Sequence, residues 1–134
     1  MTTEQWEPVN NSADNNVIDP TFLKDLLARL KNHKKDELHG LISPDEEKNH
    51  RHLIKQSTQA WNKAMENYDN EDIIAFIRFF TLAEMQLHGW DAGTESAVIS
   101  LAKILRKRGA PLEKKWLLWI KQNSSNKFLP NGAL

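Results

Sequence analysis

Apolar residues recur at intervals of three and four along most of the chain, which is the spacing of one face of an α-helix. Asp19-Pro20 offers an N-cap acceptor followed by a proline at the first helical position, and leucines follow on one face. The order Ser-Pro-Asp-Glu at 43–46 matches a capping box, and the apolar stripe behind it continues to Tyr68. No segment alternates β-branched and polar residues between turn signals. The pattern therefore predicts an all-α fold class.

The third predicted helix, about Glu71 to His88, is apolar around most of its circumference. A helix of that kind belongs in the middle of a domain. Thr94 is predicted to cap a fourth helix, which ends in basic residues before Gly109, and Pro111 to open a fifth. We therefore expect a single compact bundle of about five helices around the hydrophobic third helix.

A chain of 134 residues has room for one domain. Residues 1–17 are rich in Asn, Ser, Asp and Glu and have few apolar groups to offset the entropy of ordering them, so we predict a flexible, disordered arm. Trp6 and Val9 are its exceptions, and either they pack against the body or they form a docking point. Residues 18–134 are predicted to form the helical domain.

Composition excludes several classes of function. The chain has no cysteine, which removes thiolate catalysis, iron–sulfur clusters and cysteine-ligated zinc. It also lacks a signal-peptide pattern and an apolar run long enough to span a bilayer, so we expect a cytoplasmic protein without a membrane partner.

The net charge is zero, but residues 1–72 carry 14 acids against 9 bases and residues 73–134 carry 4 against 9. The halves, at −5 and +5, can attract one another within the fold or between copies, or leave a basic face for an acidic partner.

The run from Phe79 to Gly93, read as Phe-Phe-Thr-Leu-Ala-Glu-Met-Gln-Leu-x-Gly-Trp-x-Ala-Gly, resembles an uncharacterised family of small bacterial helical proteins. Arg-x-Arg-Gly at 106–109, Trp-Ile at 119–120 and Asn-x-Phe-Leu-Pro at 126–130 are similar to it as well. The likeness covers roughly residues 71–130. Relatives of that kind often carry a proline where Ala97 stands and an aromatic residue where Asn131 stands. The resemblance implies a bacterial cytoplasmic protein and no activity.

A polar line crosses the otherwise apolar third helix at Arg78, Thr81, Glu84 and His88. One interpretation is a cleft in which Glu84 acts as a base or a ligand beside His88, four residues further along the same face. The other is an exposed helix edge, or an internal ion pair with the basic end of the fourth helix.

A basic cluster surrounds the turn at Gly109. Two helices joined by a short glycine turn suggest a nucleic-acid-binding alternative, since cations bind phosphates. However, the second helix is too apolar to lie in a groove, and compensation of the helix dipole also explains the cluster. The cluster consists of Lys103, Arg106, Lys107, Arg108, Lys114 and Lys115.

Trp116-Leu-Leu-Trp-Ile120 is an uninterrupted apolar run, so a helix buried on one face cannot hide all of it. Either the C-terminal segment covers the remainder, or Trp116 and Trp119 anchor a contact with another molecule.

Glu47-x-x-His50 has a spacing used in di-iron bundles, but the second motif that such a site needs is absent. We therefore predict no metal and no cofactor.

These patterns favour a non-enzymatic, cytoplasmic helical module that acts by protein–protein interaction or self-association as a dimer. Nucleic-acid binding through the basic turn, and an enzyme built on Glu84 and His88, remain as alternatives. The candidate binding residues are Arg78, Thr81, Glu84, His88, Trp90, Trp116 and Trp119.

Overall fold

The computed structural model describes residues 18–33, 36–38 and 40–129. Within them the fold is all-helical, with no strand, as the sequence predicts. The arm predicted at 1–17 lies outside the described residues. Short 3-10 helices stand at Arg51–Lys55, Met65–Asn67 and Gly93–Glu95. The α-helices are α1 (Pro20–Lys31), α2 (Pro44–His50), α3 (Thr58–Ala64), α4 (Asn70–Gln86), α5 (Ala97–Lys107) and α6 (Lys114–Asn123).

The described residues hold six α-helices, so the predicted count of five was low. The predicted second helix is divided: after His50 the chain tightens into a 3-10 helix, and Gln56 and Ser57 are extended. The Ser57 side chain accepts a hydrogen bond from the Ala60 N–H and starts α3. The apolar stripe faces inward on both sides of this break, with Leu53 and Trp61 both buried. Apolar spacing alone therefore did not reveal it.

Two helices, rather than the third alone, occupy the centre. Helix α4 packs on α1, α5 and α6, while α5 packs on α3, α4 and the 3-10 helix at Arg51–Lys55. Eight of the eleven residues of α5 are buried, including the small residues Ala97, Ser100 and Ala102. Helix α5 therefore shares the central position that we predicted for the third helix alone.

Aromatic residues join α4 to the segment that follows it. Phe79 and Phe80 pack edge to face, with ring centroids 5.1 Å apart. Trp90 packs edge-on to Phe79 at 5.9 Å, and Trp61 packs edge-on to Phe80 at 5.3 Å. Offset and edge-on arrangements are the favourable ones for aromatic pairs. Trp90 is fully buried and belongs to the hydrophobic core.

Two predicted helix starts were misplaced. Ser96, not Thr94, caps α5, since its side chain accepts from the Val98 N–H, and Thr94 lies in a 3-10 turn. Helix α6 begins at Lys114, three residues after Pro111.

No helix within the described residues is long and apolar enough to cross a membrane.

Candidate functional site

Two members of the polar line of α4 contact the last part of the described chain, Arg78 at α6 and Glu84 at the segment that follows it. Arg78 is at the beginning of this contact: its guanidinium carbon is 5.5 Å from the ring centroids of both Trp116 and Trp119. The two indole rings pack edge to face at 6.1 Å. A guanidinium at this distance from an aromatic ring is attracted by about 0.5–2 kcal/mol, depending on how far it is desolvated.

Asp36, from the connection after α1, completes this group. Its carboxylate accepts a hydrogen bond from Arg78 and another from the Trp119 indole N–H, each at 3.3 Å. We call Asp36, Arg78, Trp116 and Trp119 the Arg78 cluster. It attaches α6 to α4 through one cation, one carboxylate and two aromatic rings. The sequence named three of its members, but not Asp36.

Glu84, one and a half turns further along α4, is the centre of a second group. Its carboxylate accepts from the Ser96 hydroxyl at 2.5 Å, the Asn126 side-chain amide at 3.0 Å and the Ala92 N–H at 3.2 Å. Burial raises the pKa of Glu84, while the Ser96 and Asn126 hydrogen bonds act to lower it. We call Glu84, Ala92, Ser96 and Asn126 the Glu84 hub.

The Glu84 hub joins three parts of the chain. Ser96 caps α5, and Asn126 also donates to the carbonyl of Gly93 at 2.9 Å. Both carboxylate oxygens of Glu84 therefore receive hydrogen bonds that hold α4, the start of α5 and the C-terminal segment together. Because three donors bond to its oxygens, the Glu84 carboxylate acts as a hydrogen-bond acceptor that holds the fold together.

The other members of the polar line do different things. Thr81 is fully buried, and its hydroxyl donates to the carbonyl of Ile77 one turn earlier, at 2.8 Å. His88 is exposed beyond the end of α4. The fold thus brings Arg78 to α6 and Glu84 to the C-terminal segment, but does not gather the four side chains into one cleft.

Helix α6 is covered incompletely. Only Ile120 of its ten residues is buried, while Trp116, Leu117 and Trp119 are partly buried. Leu118 is 50% exposed, and among the large hydrophobic residues that the structure describes only Met85, at 52%, is similarly open. The exposed lysines at 114, 115 and 121 surround this apolar side, and α6 contains no acidic residue. We call Trp116, Leu117, Leu118 and these three lysines the α6 face.

The basic cluster at the Gly109 turn is partly used by the fold. Lys103, Arg106, Lys107 and Lys114 are exposed. The Arg108 guanidinium, in contrast, donates to the carbonyls of Met65 and Tyr68, each at 2.9 Å, and to the Asn70 side chain at 3.1 Å. Those carbonyls lie around the turn before α4, so Arg108 satisfies backbone acceptors there. Lys115 lies 3.6 Å from Glu113 and 5.5 Å from the Trp116 ring centroid.

An ion pair that the sequence did not predict joins α1 to α2. Arg29 meets Glu46 through two parallel hydrogen bonds of 2.9 and 3.0 Å, and also donates to the Leu41 carbonyl at 3.1 Å. The Arg29 guanidinium holds the pKa of Glu46 at about 2. The pair lines a cavity of about 920 Å³ between α1 and α2. The two residues are 17 positions apart across a connector, so no local spacing could indicate their contact.

Among the histidines that the structure describes in the first half, His50 has an aromatic partner. His50 stacks on Phe22 with the ring centroids 3.7 Å apart, and burial lowers its pKa. In the part of the chain that the structure describes, no group of three or more His, Asp and Glu side chains could hold a metal ion.

Comparison of the chain with protein-family models, with curated proteins and with solved structures finds no match. The resemblance to a family of small bacterial proteins therefore stays an expectation.

Proposed function

We propose that this protein is a non-enzymatic, cytoplasmic helical module that binds another protein, or a second copy of itself, through the α6 face. The observation that carries the proposal is Leu118. It stands half exposed on a helix with a single buried residue, next to two partly buried tryptophans. Aromatic residues are enriched at the centres of protein interfaces, and energetic hot spots favour tryptophan.

The charge around the α6 face specifies the partner. Three lysines border the apolar side chains and α6 itself has no acid, although Glu113 just before it pairs with Lys115. A complementary surface therefore presents carboxylates around an apolar residue. The first half of this chain, with 14 acids against 9 bases, has that chemistry. Self-association is therefore the first form of the proposal to test.

The two alternatives have less support. An enzyme using Glu84 and His88 needs a carboxylate free to accept a substrate proton, but three donors occupy that of Glu84. Nucleic-acid binding through the basic turn loses one of its cations, since Arg108 is held by the backbone carbonyls before α4, while Lys103, Lys107 and Lys114 are exposed.

Sedimentation of the full chain from micromolar to millimolar concentration tests self-association. We expect the average mass of the wild type to rise with concentration and that of Leu118→Glu to stay at the monomer value, because a carboxylate replaces the central apolar contact. Met85→Glu is the matched control, since Met85 is equally exposed on another helix. It should associate like the wild type.

A photo-crosslinking amino acid placed at position 118 in living cells tests a different protein as the partner. We expect one discrete product from position 118 and none from position 85. A chain that is monomeric throughout the concentration range and gives no product at position 118 would contradict the proposed function.

A further inference from the structure

A second apolar surface lies far along the chain from α6. It is a groove of about 800 Å³ between the beginning of α1 and the segment formed by α3 and the turn after it. Ligand-binding pockets in proteins usually have volumes of about 300–1,000 Å³. The residues that line the floor are mostly apolar: Ile18, Pro20, Leu23, Ala60, Ala64 and Tyr68.

Two lysines give this groove a positive edge. Lys24 and Lys63 both line it and both are exposed. Among the ion pairs of the described residues, neither lysine is joined to a carboxylate. A segment that carries carboxylates beside an apolar side chain would match both the positive edge and the apolar floor of the groove.

The beginning of this chain has that composition. Residues 1–17 carry Glu4, Glu7 and Asp14 and no lysine or arginine, and Trp6 is their one aromatic residue. Ile18, which directly follows them, is itself part of the groove wall. The twelve residue-to-residue steps from Trp6 to Ile18 span at most about 40 Å, more than enough to return along the groove.

We propose that this groove binds the N-terminal segment of the same chain, with Trp6 on the apolar floor and Glu4 and Glu7 near Lys24 and Lys63. The covalent link favours this occupant over one from solution, because short flexible linkers give effective concentrations of about millimolar. The inference is independent of the proposed function, since the groove and the α6 face share no residue.

A single spin label on the full chain tests the proposal. The chain has no cysteine, so Thr3→Cys allows one nitroxide to be attached beside the acidic segment. We expect severalfold stronger paramagnetic broadening of the methyl signals of Ala60 and Ala64 than of Leu118, which serves as the reference on α6.

Three variants of the labelled chain show which contacts are responsible. Trp6→Ala should reduce the broadening at Ala60 and Ala64 severalfold, because it removes the apolar anchor. The double change Lys24→Glu and Lys63→Glu should reduce it as well. Lys103→Glu with Lys107→Glu makes the same charge change on exposed residues of α5 and should leave it unchanged. All substituted residues are exposed or lie before Ile18, so circular dichroism should show intact helices.

Several results would overturn the proposal. Equal broadening at Ala64 and Leu118 would mean that the segment does not bind the groove, and stronger broadening at Leu118 would place it on the α6 face. An unchanged pattern in Trp6→Ala would remove Trp6 as the anchor. Broadening at Ala64 in a mixture of spin-labelled chains with separate isotope-labelled chains would assign the groove to a second copy.

Discussion

Single residues in this protein connect parts of the chain that are distant in sequence, and Glu84 is the clearest case. A carboxylate that leaves water loses hydration, which is costly unless donors replace it. Ser96, Ala92 and Asn126 supply those donors. Because burial still raises its pKa, folding favours the protonated form of Glu84, and its ionisation as pH rises through the raised pKa reduces stability.

Ser96→Ala is expected to lower the free energy of unfolding by more than the loss of a helix cap. Removing an N-cap serine costs about 1 kcal/mol, and the loss of a hydrogen bond to the partly buried carboxylate of Glu84 adds about 1 kcal/mol. Ser57→Ala is the control, because Ser57 caps α3 in the same way and has no contact with the Glu84 hub. Urea unfolding at neutral pH measures both. Equal losses in the two variants would show that the hydrogen bond to Glu84 adds no stability.

At the scale of elements, the ends of helices follow local rules while their mutual placement does not. The capping box at Ser43 and Glu46 is formed, and the Asp19-Pro20 start is correct. Helix α2 nevertheless buries none of its residues. It is held beside α1 by the Arg29–Glu46 pair and by the stacking of His50 on Phe22.

Glu46→Gln is expected to destabilise the protein by about 1 kcal/mol at neutral pH, the scale of a partly exposed ion pair. Glutamine at this position keeps the capping box, so the change removes mainly the charge. Since the pKa of Glu46 falls from 4.5 to about 2 on folding, its contribution is present above pH 4.5 and is lost as pH falls towards 2. The difference between wild type and variant should therefore disappear in acid.

Glu47→Gln is the matched control for this pH dependence. Glu47 is the next residue in α2, and no ion pair involves it among the described residues. Its unfolding free energy should follow that of the wild type from neutral pH to about pH 2. If Glu46→Gln differed from the wild type by the same unfolding free energy at neutral pH and at about pH 2, the Arg29 contact would be excluded as the cause of the destabilisation.

For the whole molecule, burial is concentrated in α4 and α5 and decreases towards α6. Eight residues are buried in each of the two central helices and one in α6. Local opening requires less free energy where fewer apolar contacts are lost. We expect the amides of α6 to exchange hydrogen much faster than those of α5, as measured by mass spectrometry of peptides.

The contact between Arg78 and the tryptophans makes this expectation more specific. Arg78→Ala should accelerate exchange in α6 further while leaving α5 unchanged, because Arg78 is the cation that holds Trp116 and Trp119. Arg29→Ala, which breaks the ion pair between α1 and α2 and touches no residue of α6, should not affect α6 selectively. If both arginine variants changed α6 equally, the effect would be global rather than due to the cluster.

The candidate site was predictable only in parts. The sequence identified Arg78, Glu84, Trp116 and Trp119 as polar or aromatic residues on surfaces that needed an explanation. It could not pair them with Asp36, Ser96 or Asn126, because those contacts span 42, 12 and 42 positions. It also grouped Glu84 with His88, since neighbours on a helix face are visible in sequence and neighbours across helices are not.

The sequence by itself determined the helical class, most of the buried stripes and several helix ends, because apolar period and capping act over three or four residues. Only the tertiary structure decided that α5 shares the centre with α4, that the helix after Ser43 breaks before Ser57, and that α6 packs on Arg78. These features depend on which helix faces pack together. That choice is determined by how well side-chain volumes fit and by the desolvation of polar groups distant in sequence, and no local pattern specifies either.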